Sequence, residues 1–116
     1  MSHSLTKSLF SAAVLACCTL VPASAQAVDA EAARKLTNRN NCLRCHDVGR
    51  DAVPFKELAE KYRGDAQAEA KLIKHLTTAP EVTFPDGSKD LHKDVRTTPA
   101  EDAAQVKNLV QWILAM

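Results

Sequence analysis

One run of five residues in this 116-residue chain carries a recognisable chemistry: Cys42-Leu43-Arg44-Cys45-His46. Cys-x-x-Cys-His is the attachment pattern of a c-type haem. The two thiols add across the vinyl groups of the porphyrin as thioethers, and the adjacent imidazole binds the iron from the proximal side. Two intervening residues place both sulfurs on one helical turn, within reach of two vinyls of one macrocycle. The histidine that follows then points its ring at the metal.

Three other chemistries compete for the same residues. A zinc site could combine Cys42 and Cys45 with two of His46, His75 and His92, but structural zinc favours a second compact pair of ligands, which the sequence lacks. A thioredoxin-like dithiol needs a βαβ setting, and the strands for one are missing. A plain disulfide would leave His46 without a purpose.

Residues 1–27 read as a secretory signal peptide. Lys7 provides the positive start, and Leu9 to Leu20 is an apolar run too short to span a bilayer comfortably. Ala23-Ser24-Ala25 and Ala25-Gln26-Ala27 both satisfy the small-x-small cleavage rule, and cleavage after Ala27 would leave residues 28–116. Val14-Leu15-Ala16-Cys17 loosely resembles a lipoprotein box, which would give a lipid-anchored form, but its middle residues fit poorly and a better peptidase site lies downstream. Both remaining cysteines, Cys42 and Cys45, belong to the motif. Export to the periplasm suits them, because c-type haem is attached outside the bacterial cytoplasm.

The exported part is one small domain, and domains of that size often lean on a metal, disulfide or cofactor to complete the core. The whole chain carries 15 basic and 14 acidic side chains, and loss of Lys7 with the signal balances them. No basic stripe stands out, which argues against a nucleic-acid partner. No second apolar stretch is long enough for a transmembrane segment.

Helices must position the motif. Asp29 suits the N-cap of a first helix over about Ala30 to Asn40, with small Ala32 and Ala33 allowing close approach of a neighbour. Pro54 is expected in the first turn of a helix whose apolar face is Phe55, Leu58, Ala59 and Tyr62, ended by Arg63-Gly64-Asp65. Another helix, from about Ala66 to Thr77, is expected to bury Ala70, Ile73 and Leu76 or their neighbours. Ala79 to Thr98 shows no regular periodicity beyond a brief extended piece at Glu81-Val82-Thr83-Phe84. A loop that long in a compact domain is usually functional or disordered, and this one holds His92. The last helix is expected to start with Thr98 as cap, Pro99 in the first turn and Glu101 closing a capping box. Its broad apolar face should set Leu109 or Trp112 against Leu36. The expectation is four or five helices and essentially no sheet.

With its first helix, Cys-x-x-Cys-His, Phe55-Lys56-Glu57-Leu58-Ala59-x-Lys61-Tyr62 helix and closing Val110-Gln111-Trp112-Ile113-Leu114, the chain resembles a small bacterial class I cytochrome c. The resemblance implies an all-α fold wrapped around one covalent haem c. It also implies that a proline in the loop after the haem histidine accepts a hydrogen bond from that histidine's Nδ1 through its carbonyl; Pro54 stands at about that position relative to His46. Such a bond orients the ring and increases its donor strength. In the family the sixth iron ligand is ordinarily a methionine before the last helix. Here Met1 and Met116 are the only methionines and neither lies there. His92 does, and Asp90-Leu91-His92-Lys93-Asp94-Val95 looks like a methionine loop rebuilt around histidine. Two alternatives stay open: His92 is solvated and the iron five-coordinate, or His75 is the ligand.

The expected function is single-electron transfer between redox protein partners that dock transiently near Cys42–Cys45, with no catalytic residue of the chain's own. The chain could act alone or as the electron-accepting subunit of a larger oxidoreductase. Two imidazoles favour ferric iron more than a histidine–methionine pair, so the reduction potential should lie below that of methionine-ligated relatives. The competing function is a five-coordinate haem that binds a gas or peroxide, as sensor or enzyme, on an open distal side.

Overall fold

In a computed structural model, residues 26–116 are described, and they form five helices and one short hairpin. Most of the expected signal peptide, residues 1–25, lies outside the described residues. In chain order the elements are α1 (Ala30–Arg39), α2 (Leu43–His46), α3 (Phe55–Lys61), α4 (Ala68–Thr77), β1 (Glu81–Thr83), β2 (Lys89–Leu91) and α5 (Ala103–Leu114).

The first helix begins where its sequence places it. The Asp29 carboxylate accepts from the Ala32 amide at 2.9 Å, and Glu31 lies in the electropositive first turn. Its buried residues, Ala33, Leu36 and Thr37, follow the i, i+3, i+4 spacing of one helical stripe. Asn41, at φ 54°, ends it: the Cys42 amide returns to Thr37 O and the Asn41 amide to Asn38 O, both at 3.1 Å. This paired closure needs a left-handed residue, a conformation that asparagine tolerates better than most.

Helix α5 supplies the other half of the core, burying Val106, Leu109, Val110 and Ile113 along one stripe. Ala33, Leu36, Phe55, Leu109 and Ile113 form one cluster, with Cys42, Leu58, Leu76, Val95 and Trp112 packed against it. Leu36 and Leu109 thus share the core cluster, as expected of one of the two pairings, and fully buried Ala33 leaves room for the neighbouring helix.

Other expectations shift. Pro54 is the N-cap of α3, at φ −56° and ψ 147°, not its first helical residue; an extended ψ cannot continue a helix. Helix α4 starts later than Ala66 and buries Ala68 and Leu72, while Ala70 is exposed, so the face against α5 is rotated from the one expected. The last helix starts after Thr98 and Pro99. Glu101 takes a left-handed φ of 57°, and the Asp102 carboxylate caps by accepting from the Gln105 amide at 3.0 Å. Gln105 also sends its side-chain amide to Thr98 O at 2.8 Å and to Asp102 Oδ2 at 2.9 Å.

The stretch read as irregular contains the hairpin. Strands β1 and β2 pair antiparallel, with Glu81 opposite Leu91 and Thr83 opposite Lys89. Gly87, at φ 85°, closes the turn, its amide reaching Phe84 O at 2.9 Å, and the Asp86 carboxylate accepts from the Ser88 amide. Pro85-Asp86-Gly87 is a turn sequence with a mechanism, proline presetting φ and glycine supplying the positive angle. It delivers the chain to His92, whose amide donates to Pro80 O at 2.8 Å across the hairpin's base.

Candidate metal centre

The closure of α1 at Asn41 brings the chain directly into α2. Cys42 is already helical at φ −58° and ψ −40°, the Cys45 amide returns to Cys42 O at 3.2 Å, and the His46 amide returns to it at 3.0 Å. Cys42 and Cys45 thus share one turn. Both are half-buried free thiols, and burial pushes the Cys42 thiol above its ordinary value.

His46 is held on two sides. Its Nδ1 lies 2.7 Å from the carbonyl of Val53, which leaves Nε2 to face a metal. Its ring stacks on Phe55, centroids 5.0 Å apart and planes at 22°. Trp112 in turn meets Phe55 edge-on at 6.3 Å, so the imidazole is braced through Phe55 against α5.

The acceptor corrects the reading of Pro54. The Pro54 carbonyl takes the first bond of α3, from the Leu58 amide at 2.9 Å, and is committed to the helix. Val53, one residue earlier and outside the helix, presents its carbonyl to the imidazole. Proline drives its predecessor toward extended backbone, so Pro54 acts through the shape it imposes on Val53. A proline in sequence points to its neighbour here, not to itself.

Across from His46 stands His92. Their ring centroids are 6.0 Å apart with planes at 53°. Two imidazoles bound to opposite sides of one metal, each through a bond of about 2 Å, would have centroids ~6 Å apart. His92 Nδ1 is buried without a hydrogen-bond partner. An imidazole nitrogen shut away from water costs free energy unless something binds it. His75, from α4, meets His92 edge-on at 4.5 Å. Burial, then the neighbouring His75, holds His92 below the ordinary histidine value; burial, then His46, does the same for His75. Neutral imidazoles at pH 7 follow, and neutral is the form that binds metal.

The donor set suits an iron that brings its own ring. Zinc wants four protein ligands at one point. Among the described residues, no group of three or more His, Cys, Asp and Glu side chains could hold a metal ion. Two thiols on one turn with an imidazole directly after them are what a covalent haem asks of a protein. Val53 and Phe55, which orient His46, escaped the sequence reading; the only signal for Val53 was the proline after it.

Comparison with known proteins agrees with this geometry. Residues 30–116 match the family model described as Cytochrome c. Cytochrome c-551 of Allochromatium vinosum is 30% identical over 83 residues, covering 70% of this chain and 82% of that protein. The crystal structure of class 1 cytochrome MtoD from Sideroxydans lithotrophicus ES-1 superposes with a TM-score of 0.70 at 47% identity, over 77% of this chain and 97% of that one. None of the described helices is long and apolar enough to cross a membrane. The motif, the helices around it and these relatives lead to one identification: the chain belongs to the cytochrome c family, as a small class I electron-transfer cytochrome with one covalent haem c.

Proposed function

We propose that this cytochrome works in the periplasm, as residues 28–116 released by cleavage after Ala27, and that His46 and His92 are the two protein ligands of its iron. Cys42 and Cys45 would form the thioethers. The haem supplies a one-electron couple, and the polypeptide decides where that couple sits and what reaches it. Val53 O and the Phe55 ring hold the His46 imidazole in one orientation. His92 would fill the distal side, so that no external ligand is needed and little rearranges as the electron passes. That arrangement favours transfer over ligand activation.

The 6.0 Å facing of His46 and His92 is the observation that carries this reading. Burial of His92 Nδ1 speaks against a solvated histidine beside an open iron. His92 pairs with the His46 ring, while His75 lies against His92, which supports His92 over His75 as the ligand. Leu43, Val48 and Val53 are exposed apolar side chains in and just beyond the motif, at 44%, 83% and 45%. They suit brief, partly apolar contact with a redox partner, the kind of small interface that releases quickly.

The test is the optical spectrum of the purified exported protein in both oxidation states. Bis-histidine ligation gives low-spin α and β bands and no far-red sulfur–iron band. His92→Ala should convert the ferric protein to a high-spin form that takes up cyanide. A low-spin, unaltered His92→Ala spectrum refutes the distal assignment.

A further inference from the structure

We propose that Asn40 is the positioning residue of the distal side, locking the segment that carries His92 to the end of α1; the inference rests on His92 being the sixth ligand. Asn40 caps α1 two positions before Cys42. Its Nδ2 donates to Leu36 O at 2.9 Å and to Arg96 O at 3.1 Å, while its Oδ1 accepts from the Arg96 amide at 2.8 Å. One side-chain amide thus imitates a strand neighbour, meeting both backbone groups of a residue 56 positions away.

Residues 92–97 belong to no helix or strand and are held from outside. The His92 amide donates to Pro80 O and the Val95 amide to Leu76 O, both at 2.8 Å. These two ties reach the hairpin base and α4. Asn40 alone, among the ties named, links the His92 segment to the helix that runs straight into Cys42–His46. It therefore couples the two sides of the iron: the end of α1 sets where Cys42 begins and where Arg96 is pinned, four residues beyond His92. It is also the only one of the three made by a side chain, and so removable by substitution.

The fold provides its own control. At the other end of α1, Asn108 makes the same double clasp on Asp29: the Asp29 amide donates to Asn108 Oδ1 and Asn108 Nδ2 donates to Asp29 O, both at 2.8 Å. The two clasps are separated by the length of α1, about 15 Å. A purely structural role predicts the same consequence from losing either. A positioning role predicts a difference at the iron.

The experiment mixes ferric holoprotein with cyanide and follows displacement of the distal ligand, with thermal unfolding measured alongside. Asn40→Ala should take up cyanide about tenfold faster than the wild type, because opening of the His92 segment limits uptake. Asn108→Ala should stay within about twofold of wild type while losing comparable thermal stability. Asn40→Asp keeps the acceptor for the Arg96 amide and loses the donor, so it should fall between wild type and Asn40→Ala; it also serves if Asn40→Ala yields no holoprotein. Wild-type uptake rates in the Asn40 variants, or equal acceleration by Asn108→Ala, overturn the proposal. His92→Ala separates this from the ligation reading: if it turns high-spin while the Asn40 variants bind cyanide at the wild-type rate, the ligand assignment stands and the Asn40 role falls. If it stays low-spin, the ligand assignment itself has failed.

Discussion

The carbonyl of Val53 lies 2.7 Å from Nδ1 of His46, and the residue that shapes that contact is the next one, Pro54. A carbonyl accepting from Nδ1 gives the imidazole more donor strength and so favours ferric iron. Pro54→Gly releases the backbone restraint on Val53 without touching either partner. The expected result is a reduction potential raised by some tens of millivolts, read by redox titration. An unchanged potential would show that Val53 needs no help from the proline.

On the proposed ligation, exchanging His92 should move the potential in the same direction and further. His92→Met replaces an imidazole by a thioether, which favours ferrous iron. We expect a rise of roughly 100 mV or more, accompanied by a far-red sulfur–iron band if the loop can present the new side chain. A lower potential would contradict the electronic argument.

Replacing Cys42 or Cys45 with Ser should sharply lower the yield of stable holoprotein, measured as covalently bound haem in exported protein. Cys42 packs against the main cluster, and the described core is small. A double Ser variant that folds fully without haem would mean that the helices need no cofactor to complete them.

Acid should loosen the fold through two hydrogen-bonded carboxylates, Asp102 at the start of α5 and Asp65 beside Lys71. Hydrogen bonds from the Gln105 amide and side chain hold Asp102 below the usual carboxylate range, and Lys71, then the Gln67 amide, do the same for Asp65. Lowered values in the folded state mean that this stabilisation is complete above about pH 4, the unfolded value, and is lost as pH falls through the folded ones. The share of the melting temperature owed to these two carboxylates should therefore be lost as pH falls toward and below about 4. Asp102→Asn keeps a capping oxygen without the charge and should decline less steeply. The same slope in both proteins would remove Asp102 from the account.

The sequence alone sufficed wherever a property is local. Cys42, Cys45 and His46 are legible because their chemistry depends on spacing within one turn, and Asp29 is legible because a cap acts on the next three residues. The α1–α5 core followed from two apolar stripes with no other face to bury. The hairpin was also written locally, in Pro85-Asp86-Gly87, but Gly87 and its flanking charges masked a strand pair only three residues long on each side.

Tertiary structure decided whatever depends on two distant segments meeting. The sequence pointed to Pro54 as the partner of His46, but the helix start claims the Pro54 carbonyl and leaves Val53 to take the bond. The last helix could have been capped at Thr98 until Glu101 turned left-handed and Asp102 took the role. That His92 faces His46 while His75 stands beside it, and that Asn40 grips Arg96, are facts about the folded chain. Loop closure leaves no periodic trace in a sequence, because the contacts that hold such a loop are single hydrogen bonds to residues tens of positions away.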